Sequence, residues 1–209
     1  PNMTILNDDL ANTIERDGYA VIRGLFSPEE VARMRADVEK HFSKRGVLHN
    51  LGRTQPNAAV EVEGLGWIYS LPGIVDVFRR ALRTDDVMFT GHCDIHDSML
   101  SGWHKDSGEH RGGYFKGDYF TADDCKVYKM AIYLDDHDGT GTGLTIRKAS
   151  HRMKDLAAGE EVALDTRKGD AIIFDVRLTH VGQRPDFVER VMMAVNRKFI
   201  GRNSDKPDL

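Results

Sequence analysis

Gly102-Trp103-His104-Lys105-Asp106 is the stretch on which the reading of this chain turns. Laid out as a strand, it points residues two apart to one face, so the His104 imidazole and the Asp106 carboxylate converge while Lys105 turns away. Two such ligands joined by one distant histidine make the two-histidine, one-carboxylate face that holds ferrous iron and keeps the opposite coordination positions open. His180 is a candidate for that histidine, and His151 competes with it. Nine histidines in an aspartate-rich chain produce His-x-Asp about once by chance. A second copy does occur, at His92-Cys93-Asp94, so the motif takes its weight from its surroundings.

The surroundings change character at Asp86. Before it, apolar residues recur at helical spacing. Leu10 and Ile14 predict a short helix over 7–17 closed by Gly18, and residues 19–23 read as a strand. Ser27-Pro28-Glu29-Glu30 is a helix start, with Ser27 as N-cap and Glu30 completing a capping box. Val31, Met34, Val38 and Phe42 continue that helix to about residue 44. Loops follow around a short strand expected at 59–62, and Ile74, Val75, Phe78 and Leu82 predict a helix over 71–83.

After Asp86 the period becomes two, and short strands alternate with turns. Helices first and strands second indicate an α+β, mainly β fold, with the N-terminal helices packed on one sheet of a barrel or jelly roll. At 209 residues the chain is read as one domain spanning 1–209, a helical scaffold over 7–85 followed by the strand-rich core over 86–200.

Within the core, a strand over 87–96 would put Val87, Phe89, Cys93 and Ile95 on one side. Met88, Thr90, His92, Asp94 and His96 would lie on the other, facing water or a polar cavity. Residues 107–124, rich in glycine and aromatic residues, leave directly from His104 and Asp106 and read as a lid. A strand over 126–134 ends in the acidic turn Asp135-Asp136-His137-Asp138-Gly139, which lacks calcium-loop spacing and reads as a hairpin connection. Another strand over 143–147 leads to His151, placed to hydrogen-bond the following loop.

A strand over 170–180 aligns Ile172, Phe174, Val176 and Leu178 with His180, setting an imidazole at the end of an apolar inward row. On the return strand Arg190 would face the same cavity, where a guanidinium fork grips a carboxylate; Arg184 and Arg197 are the less favourably placed alternatives.

A net charge of −4 with scattered basic residues argues against a nucleic-acid partner. No run reaches bilayer-spanning length and the start lacks signal-peptide character, so the expectation is a cytoplasmic protein with a small-molecule partner and no membrane partner. Cys93 and Cys125 stand in no metal or redox spacing and are read as free thiols.

Several stretches in order resemble the phytanoyl-CoA dioxygenase family of iron(II)- and 2-oxoglutarate-dependent oxygenases. Residues 18–27 (GYAVIRGLFS) resemble its opening strand and helix cap, and Trp103-His104-Lys105-Asp106 matches its first two iron ligands. Residues 131–136 (AIYLDD) resemble the strand after the lid, and 143–151 (GLTIRKASH) the stretch that in the family ends in Pro-Gly-Ser-His. Residues 168–174 (KGDAIIF) through His180 match the strand of the third ligand, and Arg190 falls where the family's 2-oxoglutarate arginine is expected. Lys148-Ala149 replaces the usual Pro-Gly, Gly182 stands where a hydroxyl residue often follows the last histidine, and the chain is short for the family.

The resemblance implies a double-stranded β-helix core of the jelly-roll, cupin-like type. It implies iron(II) on His104, Asp106 and His180, with 2-oxoglutarate chelating the metal and reaching Arg190, Thr145 lending a further co-substrate contact, and O2 as oxidant. Oxidative decarboxylation to succinate and carbon dioxide would drive hydroxylation or oxidative ring closure. Asp106 argues against halogenation, because related halogenases carry a small residue there. The short chain argues against an acyl-CoA substrate. Acids in the lid, with His92, Asp94 and His96 as substrate contacts, suit a polar, amine-bearing metabolite such as an aminated sugar. The rival readings are a redox-silent, cupin-like metal protein acting as isomerase or binder, and a metal-free scaffold.

Overall fold

The computed structural model describes residues 7–45, 53–97, 101–106, 120 and 126–182. Helix α1 (Asn7–Asp17) buries Leu10, Ala11 and Ile14 and stops at Gly18, whose φ of +86° suits a residue without Cβ. Strand β1 (Tyr19–Ile22) follows, then α2 (Pro28–Arg45). The capping box forms as read: the Glu30 amide donates to Ser27 Oγ at 3.2 Å and the Ser27 amide to Glu30 Oε2 at 2.8 Å.

Next come β2 (Arg53–Gln55), the single-turn α3 (Ala58–Glu61), a tight helical turn at Leu65–Ser70 and α4 (Pro72–Leu82). The strand expected at 59–62 is therefore helical. Ala58 and Val62, one turn apart, are both buried, and helical spacing is what puts them on one face.

Among the described residues the remaining elements are a short helical turn at Ser150–Arg152 and the strands β3 (Ile95–Asp97), β4 (Tyr128–Ile132), β5 (His137–Asp138), β6 (Thr145–Lys148), β7 (Glu160–Ala163), β8 (Asp165–Thr166), β9 (Ala171–Asp175) and β10 (His180–Val181). They pair antiparallel throughout, in the orders β1-β9-β4 and β10-β6-β7, with β2-β3 and β5-β8 as two-stranded ribbons.

Every residue of β9 is buried, because both faces of its sheet are covered. Ile173 packs with Leu10, Ile14, Val77 and Ala81 on the helical side. Ile172 and Phe174 pack with Leu144, Ile146 and Leu178 toward the second sheet. The order is helices, sheet, sheet, the α+β, mainly β arrangement expected, with antiparallel sheets of the cupin-like kind. Burying side chains such as Ile172 and Ile173 contributes about 1.5–3 kcal/mol each.

Three further expectations change. Over 87–96 only Ile95–Asp97 is strand: Gly91 at φ +80° interrupts the extended backbone, and β2 offers three residues to pair with. The acidic turn at 135–139 holds β5, which pairs with the distant β8 instead of closing a simple hairpin. The strand over 170–180 is two strands in different sheets. Between them the Asp175 carboxylate accepts from the Arg177 backbone amide at 2.8 Å and Leu178 donates to the Asp175 carbonyl at 2.8 Å, a local turn that outcompetes the ladder. β7 and β8 had no sequence expectation.

Candidate metal centre

The turn after β9 delivers His180 to face His104. Their backbones make a reciprocal antiparallel pair, with His104 N to His180 O at 3.1 Å and His180 N to His104 O at 2.9 Å. Residues so paired project side chains to the same face, and the two imidazole centroids lie 4.4 Å apart. The segment at 102–106 is thus strand-like at His104 alone, with Asp106 in the turn beyond it.

Each imidazole is oriented by the carbonyl two residues before it: His104 Nδ1 donates to Gly102 O at 2.8 Å and His180 Nδ1 to Leu178 O at 2.9 Å. A carbonyl only accepts, so in the neutral ring the proton sits on Nδ1 and Nε2 presents its lone pair. Both Nε2 atoms point at Asp106, 3.6 Å from Oδ1 for His104 and 3.5 Å from Oδ2 for His180. The three ligand atoms lie within 4.8 Å of one another, the one such grouping among the described residues. Ligands about 2.1 Å from a shared ion at right angles stand roughly 3 Å apart, so small side-chain adjustments would close the set on a metal. Two neutral imidazoles and one carboxylate on one face suit a divalent first-row metal such as iron(II).

The electrostatics agree with this donor set. Burial pushes His180 down to about 4, against the pull of Asp106, so it is neutral at pH 7. Burial works to raise the Asp106 carboxyl, but His180, Lys129 and His104 outweigh it and hold it below its ordinary value. The His104 side chain is 43% exposed and that of His180 7%, so the centre opens on the His104 side. Phe174, its ring centroid 5.0 Å from that of His180, closes the inner wall.

Lys105 does turn away. Its ammonium donates to the carbonyls of Ser150 and Arg177 at 2.8 and 2.7 Å and lies 5.5 Å from the Phe120 ring centroid. Burial draws its pKa down to about 8. Behind it Arg177 and Asp175 form a buried pair, Nη2 to Oδ2 at 2.7 Å and Nε to Oδ1 at 2.9 Å. His151, the competing third ligand, is buried away from this group and contacts the Glu15 carbonyl at 3.1 Å through Nε2.

Thr145 pairs in register with Val181, and alternation along β6 turns it from the face that carries Ile146 and His180. His92, Asp94 and His96 are exposed: His92 Nε2 lies 3.0 Å from Asp94 Oδ2, and His96 Nδ1 is 3.2 Å from Thr54 Oγ1. Cys93 is a free thiol within 3.0 Å of the Tyr69 hydroxyl. Arg190, Arg184, Arg197, Cys125 and, Phe120 aside, the expected lid lie outside the described residues.

Sequence reasoning passed over Lys129, whose Nζ is 3.0 Å from Asp106 Oδ2. The available signal was its place on β4, two residues before Ala131 and four before Tyr133, which pack into the apolar cluster between the sheets.

A family model described as phytanoyl-CoA dioxygenase (PhyH) matches residues 14–184. No curated protein matches the sequence. Among solved structures the chain is similar to AviO1 from Streptomyces viridochromogenes Tue57, at TM-score 0.62 and 18% identity over 84% of this chain and 86% of that one. It is similar to SnoK, described as a non-heme alpha ketoglutarate dependent carbocyclase from nogalamycin biosynthesis, at 0.66 and 17% over 86% and 78%. HygX from Streptomyces hygroscopicus, solved with nickel and 2-oxoglutarate bound, gives 0.62 and 15% over 84% and 79%. At these identities the likeness is one of fold. No helix among the described residues is long and apolar enough to cross a membrane.

Proposed function

The chain belongs to the phytanoyl-CoA dioxygenase family and is an iron(II)- and 2-oxoglutarate-dependent enzyme, and on that premise we propose that His104, Asp106 and His180 hold the iron and Arg190 the far carboxylate of the co-substrate. The observation that carries this reading is the meeting of both Nε2 atoms and the Asp106 carboxylate at the His104–His180 pair. Iron there, with 2-oxoglutarate and O2, supplies the oxidising power for hydroxylation or ring closure, with succinate and carbon dioxide as co-products.

The protein's own part is orientation and dryness. The Gly102 and Leu178 carbonyls fix both imidazole tautomers, so neither ring needs to rotate or move its proton between nitrogens to present Nε2 to a metal. The neutral His180 offers its lone pair at pH 7 without competition from protons. Phe174 excludes water from the buried side, so reaction is directed to the open side at His104. An aspartate at position 106 would take the coordination place that a halogenase gives to halide, so oxygen insertion or ring closure is the proposed outcome.

For substrate we infer a polar, amine-bearing small molecule of a biosynthetic pathway. The exposed His92–Asp94 pair and His96, on the segment that leads toward His104, are its proposed contacts. The fold likeness to SnoK, a carbocyclase of nogalamycin biosynthesis, supports small-molecule biosynthesis. Iron(II) and then 2-oxoglutarate added without air are expected to give the weak visible charge-transfer band of a chelated complex. Air with a panel of aminated sugars is then expected to give succinate beyond the uncoupled background. Metal binding without the band would favour the redox-silent cupin reading. Equal turnover of neutral and cationic analogues, or no change on Asp94→Asn, would remove the amine assignment.

A further inference from the structure

A lysine on the inward face of a strand needs an anion, and Lys129 has found one of the proposed metal ligands. Along β4, Tyr128, Met130 and Ile132 pack toward the helices, whereas Ala131 and Tyr133 pack between the sheets. Lys129 shares the latter face. Its register partner on β9 is Phe174, whose ring packs on His180, so backbone pairing itself aims the lysine at the centre. Nζ reaches Asp106 Oδ2 at 3.0 Å, with both side chains largely covered, at 26% and 19% exposure.

We propose that Lys129 is a positioning residue for the metal centre: by holding one oxygen of Asp106 it commits the carboxylate to a single bond with the metal and suits the site to a dicarboxylate. This rests on the reading of His104, Asp106 and His180 as the metal ligands. A carboxylate with both oxygens available can take two coordination places on one ion. An ammonium fixed on Oδ2 removes that option, and the place it would have taken stays available to the co-substrate. Charge makes the same case. The ammonium offsets part of the negative charge that the Asp106 carboxylate and a bound dicarboxylate together bring to the metal.

The test compares Lys129→Met, which keeps the apolar stem and loses the donor, with Lys129→Arg, which keeps the charge. Cobalt(II) affinity, 2-oxoglutarate affinity of the metal-loaded protein and the iron charge-transfer band are measured without air, and far-UV circular dichroism checks the fold. Lys129→Met is expected to keep cobalt affinity within about threefold while 2-oxoglutarate binding weakens about tenfold or more, with the band weakened or shifted. Lys129→Arg should recover most of the loss. Unchanged 2-oxoglutarate affinity and band in Lys129→Met would overturn the proposal and leave an ordinary ion pair. So would loss of cobalt and 2-oxoglutarate affinity together in a folded Lys129→Met. Absence of the band from the unaltered protein, by contrast, would refute the metal-site reading itself.

Discussion

Replacing Gly18 by alanine should damage the fold and the metal centre together. Gly18 joins α1 to β1 at φ +86°, and an added Cβ would lie 2.5 Å from Leu178 Cδ1 and 2.7 Å from His151 Nδ1. Neither neighbour can yield freely. Leu178 is fully buried, and His151 is buried and tied to the Glu15 carbonyl. A left-handed backbone costs an alanine about 1–2 kcal/mol, and forcing a methyl into a filled core adds about 1–3 kcal/mol. The expected loss is therefore ~2–5 kcal/mol. Gly24 supplies the control, since it also has positive φ, +60°, but nothing within 4 Å of its would-be Cβ, leaving only the backbone cost.

Urea unfolding of the metal-free protein measures both variants by the shift in midpoint at constant slope. Because the Leu178 carbonyl holds His180 Nδ1, displacement of Leu178 should also weaken cobalt(II) binding in Gly18→Ala and leave Gly24→Ala unaffected. A Gly18→Ala variant within about 0.5 kcal/mol of Gly24→Ala, with unchanged cobalt affinity, would refute the packing argument.

Arg177→Met leaves the Asp175 carboxylate buried without its guanidinium and should cost about 3–5 kcal/mol in urea unfolding at pH 7. Lys105→Met removes both donors that tie the ligand-bearing segment to the Ser150 and Arg177 carbonyls, and cobalt(II) titration should show affinity lower by about 10–100-fold. The pH dependence follows from His180, whose folded pKa is lowered to about 4. Between the ordinary histidine value and about 4 the unfolded chain binds the extra proton, so stability falls as pH drops through that window, by up to ~3 kcal/mol in all. His180→Gln should flatten this part of the metal-free stability profile.

The helical half was open to sequence reasoning because its signals are local. The spacing of Leu10 and Ile14, the glycine after Asp17 and the Ser27–Glu30 capping box each act within one or two turns. His104 and Asp106 were found for the same reason, being two residues apart. The break after β9 was not legible, since it depends on an Asp175 side chain that could equally have faced solvent. Of the apolar row read as Ile172, Phe174, Val176 and Leu178, three share one cluster, because the turn returns Leu178 to it, while Val176 lies outside that cluster. Strands of two or three residues, such as β5 and β8, carry too few side chains to announce a partner. Lys129 was missed because its meaning comes from a carboxylate 23 positions earlier, which no periodicity connects to it.

The central claim is most directly tested by anomalous diffraction from crystals grown without air in iron(II) or cobalt(II), with data at the metal edge. The account predicts one strong peak about 2.0–2.2 Å from His104 Nε2, His180 Nε2 and an oxygen of Asp106. A peak bound through the Nδ1 atoms, a peak at His151 or at the His92–Asp94 pair, or no ordered metal beside His104 and His180 would contradict it.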